Sequence, residues 1–302
     1  MLHSQRPALS GFLLATVGAI AFSGKAIIVK LSYLHGVDAV TVIMYRMLFA
    51  LPFFIVMGLW AERQAIARAN LLTRRDVIDI IGLGVVGYYL SSYLDFLGLQ
   101  YITASLERLI LYLNPTLVVL LGWVLYKKPI HPLRMLAMGV SYSGVILVFS
   151  HELSFAGTNV VLGGSLVFAS AVSYAVYLLY SGQLVQRIGS MRLVGWATSV
   201  ACVCCIVQFL LLRPLSAAVV PVDVLWLGVL NAVACTVAPV LMVMMAIERI
   251  GAALTAQTGM IGPMSTIALG VLLLGEPLNA WIGMGTLLVV GGVFIVSKYG
   301  AK

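Results

Sequence analysis

Five charged residues lie inside long apolar stretches of this 302-residue sequence: Lys25, Arg46, Asp95, Glu107 and Arg108. A charge at the centre of a bilayer costs ~3 kcal/mol on insertion scales, so such side chains are expected to pair, face the protein interior or reach water. Three are positive and two are negative, which leaves one positive charge available for an anionic group such as a carboxylate. The alternative is a structural ion-pair cluster, with long side chains extending to the interface.

Polar side chains also recur at helical spacing within these stretches. Tyr88, Ser91, Ser92 and Asp95 are spaced so that they share one helix face. A similar polar stripe in the sixth predicted helix consists of Ser170, Ser173, Tyr174, Tyr177 and Ser181. Asn114 and Gln257 are further polar residues within apolar stretches. Small and hydroxyl residues also pack helices in lipid, so packing is the alternative role. The candidate substrate-binding or translocation residues are Lys25, Arg46, Tyr88, Ser92, Asp95, Glu107, Arg108, Asn114, Tyr174, Tyr177 and Gln257.

These side-chain types favour a small amphipathic organic solute over an inorganic ion, which would need more oxygen ligands. The sequence contains neither an HExxH nor a GxSxG motif, and its four histidines fall in predicted loops or termini. Cys202 and Cys205 have CxxC spacing without a second ligand pair. We therefore predict no catalytic site, no metal and no cofactor. A membrane-embedded enzyme, a lipid-modifying protein and a channel are the alternative functions.

The elements that position these residues are predicted to be membrane-spanning helices. The chain is 62% hydrophobic and only 9% charged, whereas soluble domains carry roughly 25% charged residues. A span needs about 20 apolar residues, and ten apolar runs are present. They cover about residues 9–31, 38–60, 76–99, 101–125, 132–150, 160–186, 191–212, 223–246, 250–274 and 278–298. This pattern predicts an all-α integral membrane protein with ten transmembrane helices.

The distribution of basic residues predicts the orientation. With the N-terminus in the cytoplasm, thirteen Lys and Arg residues fall on the cytoplasmic side and two on the other side. The positive-inside rule therefore predicts that both termini are cytoplasmic. The net charge of +8 is explained by the same bias, and no nucleic-acid partner is predicted.

An internal repeat divides the chain. Residues 99–150 align with 247–298 without gaps and give about eleven identities, including Pro115 with Pro263 and Gly122 with Gly270. Each half contains five predicted helices, an odd number, so the halves enter the membrane from opposite sides as inverted repeats. Pro115 and Pro263, each within a predicted helix, are hinge candidates. Ordinary packing kinks are the alternative.

Several motifs resemble those of a known family. They are Gly262-Pro263-Met264-Ser265, Leu274-Gly275-Glu276-Pro277-Leu278, Gly291-Gly292-Val293, Lys30 and Tyr45-Arg46-Met47-Leu48-Phe49-Ala50. The sequence resembles the drug/metabolite transporter superfamily, specifically its EamA branch. The resemblance implies EamA-type repeats over residues 9–150 and 160–298, export as the transport direction, and a bacterial inner membrane. Lys127-Lys128 depart from the Gly-Glu that the repeat predicts, and the first helix lacks the embedded Glu of small multidrug exporters.

We therefore expect a secondary transporter of small organic metabolites that works by alternating access between the two repeats. Amino acids are the first candidate substrates. The tyrosines among the candidate site residues favour aromatic amino acids within that class. Coupling to protons through Glu107 or Asp95 and uncoupled transport both stay open. The oligomeric state stays open as well.

Overall fold

Helices form almost all of the backbone in the computed structural model, which describes residues 5–67, 70–127, 131–156 and 159–298. Helices α1 to α7 cover Gln5–Leu34, Ala39–Ala67, Arg74–Leu83, Ser91–Gly98, Ala104–Leu111, Asn114–Tyr126 and Pro132–Ala156. Helices α8 to α13 cover Asn159–Ile188, Ser190–Leu212, Val222–Ala232, Ala238–Thr258, Gly262–Leu274 and Ala280–Lys298. No strand occurs in these described ranges.

Within the described residues, eight helical segments are long and apolar enough to cross a membrane, which confirms an all-helical integral membrane protein. They are Leu9–Leu34, Ala39–Ala67, Arg74–Gly98, Ala104–Tyr126, Met135–Ser154, Asn159–Gly182, Ser190–Leu212 and Val222–Ile247. Each overlaps one of the first eight predicted runs. The last two runs correspond in part to shorter apolar helices, Gly262–Leu274 and Ala280–Ile295.

Four of the predicted runs are interrupted, which hydropathy did not predict. A π-helical segment, Gly84–Leu90, joins α3 to α4, and a second one, Val233–Val237, joins α10 to α11. The fourth run breaks between α5 and α6, and a 3₁₀ turn at Gly259–Ile261 precedes α12. Pro115 and Pro263 lie in the first turns of α6 and α12, where a missing N–H leaves no hydrogen bond unmade. They therefore sit beside existing breaks rather than in helix interiors.

The predicted boundary between the eighth and ninth runs, at Arg249, lies within α11. Contacts with α1 nevertheless show that the chain changes direction nearby. The contacting pairs along α1 are Gly18 with Met242, Gly11 with Ile250, and Ser23 with Gly262. The segment before Ile250 thus runs antiparallel to α1, and the segment after it returns alongside α1 in the same direction.

Glycines allow the closest helix contacts. A Cβ on Gly195 of α9 would lie 2.6 Å from the backbone nitrogen of Gly58 in α2. A Cβ on Gly144 of α7 would lie 2.7 Å from the carbonyl oxygen of Gly285 in α13. Such distances are too short for any side chain, so backbones meet directly at these crossings, as is typical of helices packed in lipid.

Candidate functional site

A cavity of about 230 Å³ lies among the helices and contains most of the predicted site residues. The predicted residues that line it are Lys25, Arg46, Tyr88, Ser92, Asp95, Arg108, Asn114 and Tyr174. These side chains come from residues on both sides of the chain midpoint. The remaining walls are largely apolar and are formed by Phe22, Met47, Phe54, Leu111, Tyr112 and Val240, among others.

Lys25 is held by two carboxylates at the cavity wall. Its Nζ lies 2.5 Å from Asp95 Oδ2 and 3.2 Å from Glu107 Oε1. All three side chains are almost completely buried, and Glu107 is 0% exposed. The predicted pairing among intramembrane charges therefore occurs, but a single ammonium group is shared by both carboxylates.

Arg46 is buried without a carboxylate partner among the described residues. Its Nε donates a hydrogen bond to Thr236 Oγ1 at 2.9 Å, and its guanidinium lies 5.2 Å from the centre of the Phe96 ring. Its Nη1 is buried and has no hydrogen-bond partner in the part of the chain that the structure describes. This guanidinium thus has unused donor capacity at the cavity.

Arg108 has the same unused capacity on another wall. It forms no salt bridge with any described residue, and its buried Nε has no partner there. The guanidinium lies 5.3 Å from the centre of the Phe22 ring and packs against Gly262, where a Cβ would come within 2.5 Å of Nη2. A side chain at position 262 would therefore displace this guanidinium group.

The balance of charges differs from the prediction. The sequence count left one positive charge without a partner, on the assumption that the ions pair one to one. In the structure Lys25 is in contact with both carboxylates, so two arginines are left without one. The cavity thus presents two arginines from different helices rather than a single cation.

Tyrosines form an aromatic wall where α8 meets the π-helical segment Gly84–Leu90. The rings of Tyr174 and Tyr177 are stacked with centroids 5.6 Å apart, and Tyr88 meets Tyr177 edge-on at 4.9 Å. Ser170 Oγ donates to the carbonyl oxygen of Ser91 at 2.7 Å and so ties α8 to α4. The polar and aromatic side chains of α8 therefore face those of α4 and of the π-helical segment before it.

Two of the predicted positions, Glu107 and Tyr177, lie behind the cavity wall. Glu107 and Tyr177 do not line it, but contact Lys25 and Tyr88. Asn114 lines it, and its Nδ2 donates to the Leu111 carbonyl oxygen at 2.7 Å. The side chain of Gln257 lies outside the described residues.

A second group of paired charges, which we name the Arg192 cluster and in which Arg192 and Asp76 are buried, was not predicted. It consists of Glu62, Asp76, Arg187 and Arg192. Arg192 is 1% exposed and donates from two guanidinium nitrogens to both carboxylate oxygens of Glu62, while Arg187 pairs with Asp76. In the sequence both arginines count only among the Lys and Arg residues on the cytoplasmic side. Their partners are far away in the sequence, so no local pattern indicates the pairing.

Two further carboxylates bind the start of α5. Glu276 accepts from the backbone nitrogen of Ala104 at 2.7 Å and from Ser105 Oγ at 2.6 Å. Glu152 accepts hydrogen bonds from the hydroxyl and the backbone nitrogen of Thr103. Carboxylates are favourable at a helix N-terminus, where backbone N–H groups lack partners. Both are thus engaged away from the cavity arginines.

Comparisons with known proteins agree with this architecture. The chain is 29% identical to an uncharacterized transporter, YcbK, of Bacillus subtilis (strain 168), over 96% of this chain and 92% of the relative. It is 26% identical to a second uncharacterized transporter of that organism, YyaM, over 76% of this chain and 78% of the relative. A solved crystal structure has a TM-score of 0.62 at 17% identity, covering 97% of this chain and 99% of that one, which shows a shared fold.

The family comparison covers almost the whole sequence. The model of the EamA-like transporter family matches residues 9–150 and 161–298. These matches agree with the apolar helices and with the charged cavity that lies among them. The chain therefore belongs to the EamA-like transporter family and is a multi-pass integral membrane transporter.

Proposed function

We propose that this protein is a ten-helix secondary transporter that exports small organic metabolites, with amino acids as the first candidates, by alternating access between two inverted five-helix repeats. The observation that carries the proposal is the central cavity. It is lined by charged side chains from the first half of the chain and by polar and aromatic side chains, such as Thr236 and Tyr174, from the second half. Intramembrane charges of this kind mark substrate pathways in transporters.

Corresponding backbone features support the two repeats, which span residues 9–150 and 160–298. Helices α6 and α12 begin at Asn114 and Gly262, 148 positions apart, and the two π-helical segments are offset by nearly the same number. Both α6 and α12 end at a left-handed residue, Lys127 with φ 52° and Gly275 with φ 66°. Backbone conformation thus repeats even where side chains differ.

Helix packing supports an approximate two-fold relation between the halves. At the same offset, α1 corresponds to α8 and α4 corresponds to the start of α11. In the structure α1 packs along α11, and α8 packs along α4. The pairs α2 with α9 and α7 with α13 are each formed by corresponding helices. A two-fold axis in the membrane plane produces this pattern, as in inverted-repeat transporters.

The positive-inside bias supports cytoplasmic termini, and relatives from Bacillus support a bacterial cytoplasmic membrane. The transport direction follows from the family resemblance. For coupling, we propose that a proton is carried by the Asp95 and Glu107 carboxylates, which face Lys25 directly and have Arg108 next to Glu107 in sequence. The tyrosine wall supports a preference for aromatic or other apolar side chains.

Counterflow in liposomes tests the proposal. The purified chain is reconstituted, loaded with unlabelled amino acids and supplied with the labelled form outside, for wild type and for Glu107→Gln and Arg108→Ala. We expect saturable exchange that both substitutions abolish, although both variants remain folded. Arg213→Ala changes a partly exposed residue that pairs with Asp38 outside the cavity, and it should exchange like wild type.

Other results separate the alternatives. Flux that is not stimulated by substrate on the opposite side would indicate a channel. Exchange that survives both cavity substitutions would make the charges structural. Absence of exchange for every amino acid would reject the substrate hypothesis.

A further inference from the structure

The cavity contains more positive than negative charge, and this excess has a defined location. Lys25, Arg46 and Arg108 face Asp95 and Glu107, so the group carries one net positive charge when all five are ionised. Lys25 is occupied by both carboxylates. The excess therefore lies on the two arginines.

Both arginines have a buried nitrogen donor that makes no hydrogen bond within the described residues. Nη1 of Arg46 and Nε of Arg108 have no hydrogen-bond partner among the described residues, although Arg46 is only 6% exposed. Buried donors without acceptors are unfavourable, and buried charges are normally paired. A negatively charged hydrogen-bond acceptor inside the cavity would therefore stabilise both arginines.

No described carboxylate forms a salt bridge with Arg46 or Arg108. Asp95 and Glu107 contact Lys25, although Asp95 Oδ1 and both Glu107 oxygens also lack hydrogen-bond partners among the described residues, and Glu152 and Glu276 bind donors at the start of α5. Arg46 and Arg108 are instead placed against the Phe96 and Phe22 rings. Neither guanidinium group thus has an ion-pair partner among the described residues, and an anionic ligand in the cavity would provide one.

The rest of the wall limits the body of such a ligand. Side chains of Phe54, Leu111 and Val240 and the Tyr88 and Tyr174 rings surround the arginines with mainly apolar surface. Guanidinium groups bind carboxylates through paired N–H donors. A small molecule with one carboxylate and an apolar or aromatic body matches this combination.

We propose that Arg46 and Arg108 form the carboxylate subsite of the cavity and that the preferred ligand is an organic anion with one net negative charge. The proposal rests on the proposed transport function and narrows its substrate class. A zwitterionic amino acid leaves the excess positive charge in place, whereas a monoanion neutralises it. A carboxylate metabolite without a free ammonium group is therefore preferred over the corresponding amino acid.

Three ligands that share a phenylethyl body test this preference: 3-phenylpropanoate, phenylalanine and 2-phenylethylamine, with net charges of −1, 0 and +1. Binding to the full-length protein in detergent is measured by calorimetry. A second series, 4-methylpentanoate, leucine and 3-methylbutylamine, separates the effect of charge from that of the ring. We expect the anion to bind roughly tenfold more tightly than the amino acid, since a charged hydrogen bond contributes about that much, and the amine to bind weakest.

Variants locate the subsite. Arg46→Gln and Arg108→Gln should each weaken binding of the anion roughly tenfold, and neither should weaken binding of the amine, because each removes a positive charge. Arg46→Lys keeps the charge without the planar donor pair, so it should recover part of the lost affinity. Arg213→Gln is the matched control outside the cavity and should bind all ligands like wild type. Unfolding temperatures identify any variant that fails to fold.

Each outcome decides between the two proposals. Tight anion binding without exchange in liposomes would support the subsite and reject the transport proposal. Exchange of phenylalanine combined with weaker binding of 3-phenylpropanoate would keep the transport proposal and overturn the subsite, because Asp95 would then accept the ammonium group. Failure of both anions to bind would also overturn the subsite.

Discussion

Two groups of interacting charges lie in different parts of the helix bundle, and each contains a buried arginine. In the Arg192 cluster, Arg192 satisfies both oxygens of Glu62 and also donates to the Asn70 carbonyl oxygen, and Arg187 pairs with Asp76. In the cavity, two arginines keep unused donors and one lysine serves two carboxylates. The residue types are nearly the same, but only the first group provides its own partners.

This difference indicates different roles. A charge network that is complete within the protein ties helices together, and the Arg192 cluster connects α2, α3, α8 and α9. A network that lacks an acceptor is stabilised by a ligand or by water instead. The completeness of pairing, rather than burial alone, therefore separates the structural charges from the candidate binding charges.

The largest effect should follow from Arg192→Ala. Removal of Arg192 leaves the partly buried Glu62 carboxylate without its cation and also removes the hydrogen bond to the Asn70 carbonyl oxygen, which together cost about 3–5 kcal/mol. We expect a loss of this size in the free energy of unfolding, measured by denaturant titration in detergent. Arg213→Ala disrupts only a partly exposed pair and should cost less than about 1 kcal/mol. Equal losses for both variants would contradict a structural role for the cluster.

A smaller energy should be measured for the coupling between Lys25 and Glu107. Lys25→Met leaves Asp95 and Glu107 buried together without their shared cation. Glu107→Gln should compensate by removing one of the two negative charges. We expect a coupling energy of about 1–3 kcal/mol in a double-mutant cycle on unfolding. Additive losses would show that Lys25 and Glu107 do not interact as the 3.2 Å distance indicates.

Gly262→Ala should affect ligand binding more than stability. The new Cβ would lie 2.5 Å from Arg108 Nη2, so the guanidinium must move. We expect the half-saturation concentration for exchange to rise roughly tenfold, which corresponds to the loss of one charged hydrogen bond. Gly259→Ala is the control, since its Cβ would meet nothing within 4 Å. An unchanged half-saturation concentration would place Arg108 outside the binding site.

The smallest effect on stability should follow from Arg46→Ala. This arginine contributes a hydrogen bond to Thr236 but also an uncompensated buried charge, and the two effects oppose each other. We expect the free energy of unfolding to change by less than about 1 kcal/mol. If Arg46→Ala lowered the free energy of unfolding as much as Arg192→Ala, the cavity arginine would have the same structural role as the Arg192 cluster.

Much of the fold could be predicted from the sequence, because a membrane span needs a long apolar run and hydropathy detects such runs. The first eight runs overlap the observed spans. The interruptions could not be predicted in this way. The π-helical segment at Gly84–Leu90 and the break before Asn114 change hydrogen bonding along the backbone without changing its apolar character.

The candidate site could be predicted only as a set of residue types. Lys25, Arg46 and Asp95 were recognisable because charges within apolar runs need an explanation, and the structure places all three at one cavity. Their pairing depends on helix rotation, so the count of charges could not show that Lys25 takes both carboxylates. Phe22 and Thr236 were missed because an aromatic or hydroxyl residue within an apolar run gives no distinct signal.

The π-helical segment before α4 has a consequence for how this protein tolerates insertions and deletions. A π turn accommodates a residue beyond the α-helical repeat, and each residue of an α-helix rotates the following side chains by about 100°. Deleting one residue from Gly84–Leu90 would therefore restore a regular helix and leave Ser91, Ser92 and Asp95 close to their present orientation relative to α3. The same deletion in a regular stretch of α3 would turn these side chains by about 100° and redirect this cavity wall without altering any of its residues.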